Sequence, residues 1–445
     1  MAKKLTEGHE GKLILFFMLP LLLGNLFQQL YNMADTFIVG RYLGADALAA
    51  VGSVITLMFF VMGFAQAVTV GLTIPLAQRF GAGDNAGICR SFAVSIYISI
   101  AVSLIITVPS VIFSDNILRL MNTPENILAD ASTYLFVVFA GTIFTVAYNL
   151  LANVIRAIGD SRTPLYFLII AATVNIVLDI YFIASLNMGV AGAALATIIS
   201  QAFSAACCIF YIWKKIPILH LKRSDFRFDA VELREHLRLG IPMGFQMSII
   251  AFGVIIIQIA LNQHGSTAVA AYTVAQRIEQ LALFPFLSFG IAAGVFVAQN
   301  YGAGKRERIW RGVRQTTLMS LFYGVVIGVS ILLFAKQLIS AFFGTEVSPE
   351  LLQLGVKYLW LTVPFYPLLI FVFVYRNTIQ ALGETFIPTL AGIMEMIMRV
   401  LTAIFIAPIW GFDGIVVCHP LAWLGACIPL IWAYQRKKKE LSAEF

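Results

Sequence analysis

The sequence predicts an all-α membrane protein of twelve transmembrane helices, built as two six-helix repeats. Three observations carry that expectation. Apolar runs of about 20 residues, enough to cross a bilayer as helix, recur throughout a chain of 445 residues that is 60% hydrophobic and 12% charged. Lys and Arg fall mostly on one side of those runs. Several short motifs occur twice, in the same order.

Soluble domains run at roughly 25% charged residues, so a soluble reading is excluded. Membrane barrels alternate apolar and polar residues over roughly 10-residue segments. The runs here are continuous, so helices are the spanning unit, with centres expected near residues 26, 64, 102, 143, 175, 202, 249, 284, 325, 366, 397 and 423. "MAKKLTEGHEGK" is too polar for a cleavable signal, and no small-residue cleavage site follows the first apolar run, so the first helix is expected to be retained. The five cysteines (Cys89, Cys207, Cys208, Cys418, Cys427) show no metal or disulfide spacing, and four fall in expected helices as small packing residues.

With the N-terminus inside, the inner segments hold 23 of the 30 Lys and Arg, from Lys3 and Lys4 through Arg79, Arg90, the 214–238 stretch, Lys305–Arg314 and Arg436–Lys439. The outer segments hold 4: Arg41, Arg119, Lys336 and Lys357. Positively charged loops stay cytoplasmic, which places both termini in the cytoplasm and supports an even helix count. The net charge of +7 is therefore membrane topology and not a nucleic-acid footprint. The basic "QRKKKE" tail fits contact with anionic lipid.

"LAQRFGAGD" (76–84) returns as "VAQNYGAGK" (297–305), an offset of 221 residues that also pairs Gly44 with Gly265 and Arg90 with Arg311. "RAIGDSRTP" (156–164) returns as "QALGETFIP" (380–388), Gly189 and Gly192 as Gly411 and Gly414, and "LPLLLGN" resembles "IPMGFQ". A duplication follows. Residues 1–213 are expected as an N-lobe, 214–236 as a cytoplasmic linker with a surface helix, and 237–445 as a C-lobe. Parallel repeats around a midplane site are a transporter architecture. No filter-like loop or charge ring suggests a channel.

Asp179 sits inside the apolar run "NIVLDIYFI" (175–183). Intramembrane ionisable groups are costly and face a bundle interior or cavity. Asn175 lies four residues earlier and so shares its helix face. The pair fits a cation or proton site, or a hydrogen-bonded pair that fixes packing. In the second half, Arg277, Glu279, Glu395 and Arg399, with Arg376 and Glu384 nearby, read as an internal salt-bridge network or as gating and charge-compensating groups. Pro20, Pro242, Pro285, Pro364, Pro367, Pro408 and Pro420 mark helix kinks or ends. The "GAG" motifs serve tight turns and lack the Lys-Ser/Thr of a phosphate loop.

The chain resembles the multidrug and toxic compound extrusion (MATE) family across nearly its full length, through "YNMADTFIVGRYLG" (31–44), "LAQRFGAGD", "IRAIGDSRTPLYF" (155–167), "NIVLDIYF" and "GVAGAALATIISQ" (189–201). The resemblance implies two six-helix lobes forming a V, with export of drugs and other organic, often cationic, compounds in exchange for protons or sodium. It is nearest the DinF-like branch, which implies a coupling cluster of Asp35, Asn175, Asp179, Tyr134 and Thr197. Such oxygens suit a sodium ion at Asp35, Asn175 and Asp179, and two neighbouring aspartates equally suit a shared proton. The NorM-like branch uses an acid on helix seven, and "FQMSIIAF" (245–252) has none.

The expected function is a secondary antiporter of the plasma (inner) membrane, monomeric and without a bound cofactor. Its partners are small organic cations or amphipathic drugs and membrane lipids, with no nucleic acid. Cavity candidates are Gln28, Met33, Phe64, Met243, Gln246 and Phe284, because aromatic faces and flexible methionines accept varied apolar cations. A lipid-linked precursor flippase is the alternative within transport, disfavoured by few intramembrane basic residues. A membrane enzyme lacks any His-Glu-x-x-His motif, nucleophile–base set or nucleotide loop.

Overall fold

The computed structural model describes residues 4–343 and 348–443. Every expected apolar run is helical. Among the described residues, eleven helices are long and apolar enough to cross a membrane, and a bent pair supplies a twelfth span. In chain order they are span 1 (Glu10–Leu43), span 2 (Ala45–Ala82), span 3 (Asn85–Ile112), span 4 (Glu125–Ala140 with Thr142–Ala157), span 5 (Arg162–Ser185) and span 6 (Gly189–Lys215). Span 7 (Ala230–Asn262), span 8 (Gly265–Gly302), span 9 (Arg306–Leu333), span 10 (Pro349–Ala381), span 11 (Phe386–Trp410) and span 12 (Phe412–Ala443) follow. All five cysteines lie in helices, Cys89 included, and all are free.

The duplication reaches the backbone. Gly44 and Gly265 have φ of 88° and 84°, Gly83 and Gly304 75° and 69°, Gly159 and Gly383 89° and 87°, Gly189 and Gly411 59° and 59°. Positive φ penalises any residue with a Cβ, so each pair ends or starts a helix at the same place in both repeats. Spans 5 and 11 each pass into a wide π turn, at Tyr181–Ser185 and Thr402–Ile406. Span 4 bends by 47° at Gly141, where a Cβ would overlap the Ile198 side chain of span 6. Span 10 is interrupted at the corresponding level by the 3-10 turn Val363–Phe365, which contains Pro364.

Packing groups the described chain into two units. One contains Leu19–Gly244; the other contains Leu5–Met18 and the chain from Phe245 onward. The first has a core of mostly small and branched residues, including Val39, Ala50, Val54, Phe139, Ala193 and Ala194, and a second cluster around Val68, Leu72, Ile98 and Val146. In the second unit Val372, Ile379, Ala391, Ala426 and Leu430 pack together. Small residues suit close helix approach in lipid. At Gly71 a Cβ would stand 2.7 Å from Gly240 Cα and 2.9 Å from Leu239 O, so spans 2 and 7 touch backbone to backbone. Large side chains such as Ile105, Phe322, Leu333 and Ile428 are exposed, as a lipid-facing surface requires.

The expected surface helix of the linker is the first part of span 7. Asp229 caps it, accepting from Val231 N at 2.9 Å and Glu232 N at 3.3 Å, and the helix then runs unbroken through Pro242. Within the first unit, Glu232 and Glu235 hold Arg79 at 2.7 and 2.8 Å. The second unit repeats the device at its own margin. Glu10 pairs with Arg308 at 3.3 Å, Leu5 N donates to Gln299 Oε1 at 2.8 Å, and Lys305 Nζ donates to Thr6 O at 2.9 Å.

Candidate functional site

Span 5 carries Asn175 and Asp179 one turn apart, both fully buried, just before its π turn, a feature common at functional sites. With the Asn175 amide oriented to satisfy both neighbours, its nitrogen donates to Asp179 Oδ2 at 2.8 Å and its oxygen accepts from Thr197 N of span 6 at 3.2 Å. Span 1 supplies Asp35, whose carboxyl lies within hydrogen-bonding reach of Asp179. Tyr134, on span 4, is buried beside both acids. The five residues the resemblance pointed to are therefore brought together in the first unit.

Tyr31 completes the group and escaped the sequence reading. Its hydroxyl donates to Thr197 Oγ1 at 3.5 Å, and it lies in electrostatic reach of Asp35 and Asp179. The available signal was its spacing, one turn before Asp35 on the same helix.

Asp35 Oδ1 and Asp179 Oδ1 are buried with no hydrogen-bond donor among the described residues. Among the described residues, no Lys or Arg acts on either carboxyl. Two ionised carboxylates so placed repel, and burial strengthens the repulsion. The arrangement can bind a cation: a proton shared by the acids, or a hard metal ion held by carboxylate and hydroxyl oxygens.

The other predicted residues are spread through both units. In the first, Gln28 donates to Asn32 Oδ1 at 3.3 Å, Met33 is exposed, Met243 is buried, and Phe64 packs against Gly244. In the second, Gln246 Nε2 donates to Pro388 O at 2.7 Å and its Oε1 accepts from Gln380 at 2.8 Å, while Phe284 is half-buried. Glu395 sits between two guanidinium groups, Arg399 at 2.7 Å and Arg376 at 3.1 Å. Arg277 is exposed and bonds Gln280. Glu279 is buried elsewhere, accepting from Tyr358 Oη at 2.6 Å.

Glu232, Glu235 and His236 have ligand atoms close enough for a metal. Arg79 already occupies both carboxylates, and His236 is engaged at Nδ1 by Glu232 O (2.8 Å) and at Nε2 by Ser91 Oγ (2.7 Å). The cluster is an ion-pair lock.

An internally duplicated bundle of twelve spans with paired buried carboxylates has the architecture of a membrane transporter. The chain belongs to the MatE family, whose family model matches residues 20–181 and 242–405, once in each repeat. It is 33% identical over 384 residues to the probable multidrug resistance protein YpnP of Bacillus subtilis, covering 85% of this chain and 84% of the relative. It is 28% identical over 345 residues to the probable multidrug resistance protein NorM of Thermotoga maritima, covering 76% and 74%. A crystal structure of MATE in complex with MaL6 shares the fold, with a TM-score of 0.90 at 24% identity and coverage of 99% and 98%.

Proposed function

We propose that the protein exports small organic, often cationic, compounds from the cytoplasm in exchange for protons, by alternating access, with Asp35 and Asp179 as the coupling pair. The carrying observation is that each acid has a buried oxygen without a donor and no basic partner among the described residues. A pair so built needs a cation. Binding one neutralises the site, and release restores repulsion between the acids. A ligand shifts a conformational equilibrium only through differential affinity, and a buried acid pair supplies a large difference.

Two neighbouring buried aspartates suit a shared proton, and this supports the proton as the coupling ion. The donorless oxygens and Thr197 keep sodium as the second reading. The same cluster, with no acid at 245–252, supports the DinF-like branch. Relatives named multidrug resistance proteins support organic compounds as cargo. The excess of Lys and Arg on one side supports a cell-membrane protein with both termini cytoplasmic. One chain carries the whole cluster, so a monomer suffices and no cofactor is required.

The test is transport of a fluorescent organic cation by the purified protein in liposomes, with proton and sodium gradients imposed separately. Movement with the proton gradient alone supports this reading. Movement with sodium alone moves the site to the second reading. Failure of both gradients across several cations removes the proposal.

A further inference from the structure

The second unit buries an acid that the proposed coupling pair does not use. Glu279, on span 8, is 3% exposed. An ionised carboxylate offers about four acceptor sites. This one accepts from Tyr358 Oη of span 10 at 2.6 Å, and its Oε1 is buried with no donor among the described residues. Among the described residues, no Lys or Arg acts on it. Thr362, one turn beyond Tyr358, lies beside the carboxyl but spends its hydrogen on Tyr358 O at 3.1 Å.

The surroundings are rich in proton-bearing groups. Tyr358, Tyr272 and Tyr366 stand in electrostatic reach of Glu279 from spans 10, 8 and 10, and Tyr323 of span 9 faces Tyr366. His419 of span 12 joins Tyr272 Oη through Nε2 at 2.6 Å, and its ring packs 6.1 Å from that of Tyr358. Arg399 of span 11 reaches Tyr272 and His419 electrostatically.

Two features act on the carboxyl in opposite senses. The Tyr358 hydroxyl donates to it, which favours the ionised form. Burial with an oxygen that meets no donor among the described residues favours the neutral form. Opposed demands of this kind suit a group that takes up and gives back a proton.

We propose that Glu279 is a second proton-binding site, in the second unit, separate from Asp35 and Asp179. The inference goes beyond the proposed function and does not depend on which ion drives export.

The test is infrared spectroscopy of the full-length protein in lipid nanodiscs, with carboxyl-13C glutamate separating glutamic from aspartic acid bands, titrated between about pH 5 and about pH 9. A glutamic acid C=O band that disappears reversibly as pH rises, persists in Asp179→Asn and is lost in Glu279→Gln supports the site. Tyr358→Phe keeps the acid but removes its donor, and should move the band to higher frequency. This variant keeps the test decisive where Glu279→Gln does not fold. No glutamic acid band, a band constant across the range, a band surviving in Glu279→Gln, or one unmoved in Tyr358→Phe overturns the proposal.

Discussion

With the Asn175 amide oriented to satisfy both neighbours, its nitrogen donates to Asp179 Oδ2 at 2.8 Å, one turn along span 5, and both residues are fully buried. A hydrogen bond to a charged acceptor contributes about 1.5–3 kcal/mol. Asn175→Ala withdraws that from the ionised form of the pair alone. The pH profile of export should therefore move, while the protein stays folded. A profile superimposable on that of the wild type would contradict a coupling role for the pair.

Glu395 holds two guanidinium groups at once. Removing the shared acid from a buried network leaves unpaired charge and costs about 3–5 kcal/mol. Glu395→Ala should lower the thermal midpoint in detergent sharply. Replacing Arg376 and Arg399 by Met in the same variant should recover much of the loss. A Glu395→Ala protein as stable as the wild type would contradict the ion-pair assignment.

Much of this was legible in the sequence, and what was not has identifiable physical causes. Twelve spans follow from hydropathy because the bilayer sets their length. The repeat follows from its glycines because positive φ leaves few alternatives to that residue, and the same positions take that φ in both halves. Asp179 and Asn175 stand out as polar groups in an apolar run. The bend at Gly141 and the π turns after Asp179 and Arg399 leave no mark on hydropathy. Tyr31, Tyr358 and His419 escaped because each is amphipathic and reads as packing until a partner from another helix is in place. The separation of Glu279 from Glu395 was hidden likewise: spacing along one helix does not say which neighbour each acid meets. Arg277, expected beside them, instead faces outward.

Gly71 and Gly240 bring two helices into backbone contact. Gly71→Ala must force them apart, since backbone atoms cannot rotate away as a side chain does, at about 1–3 kcal/mol. Gly52→Ala is the control, because its Cβ would meet nothing within 4 Å. Thermal unfolding should separate the two variants clearly; equal midpoints would mean that spans 2 and 7 are not so tightly joined.

Arg79 ties the end of span 2 to the start of span 7 through Glu232 and Glu235. Arg79→Ala leaves the buried Glu232 without its counter-ion, and stability should fall by on the order of 3 kcal/mol. Glu235→Ala, whose side chain is 42% exposed, should cost less than about 1 kcal/mol. The reverse order in denaturant melts would contradict this division.

The central claim is that the Asp35–Asp179 pair couples cation movement to export. The most direct measurement compares wild type with Asp179→Asn in liposomes, reading uphill movement of a fluorescent organic cation under a proton gradient alongside its binding to the purified protein. Binding retained with uphill movement abolished is the predicted result. Uphill movement at the wild-type rate in Asp179→Asn would contradict it.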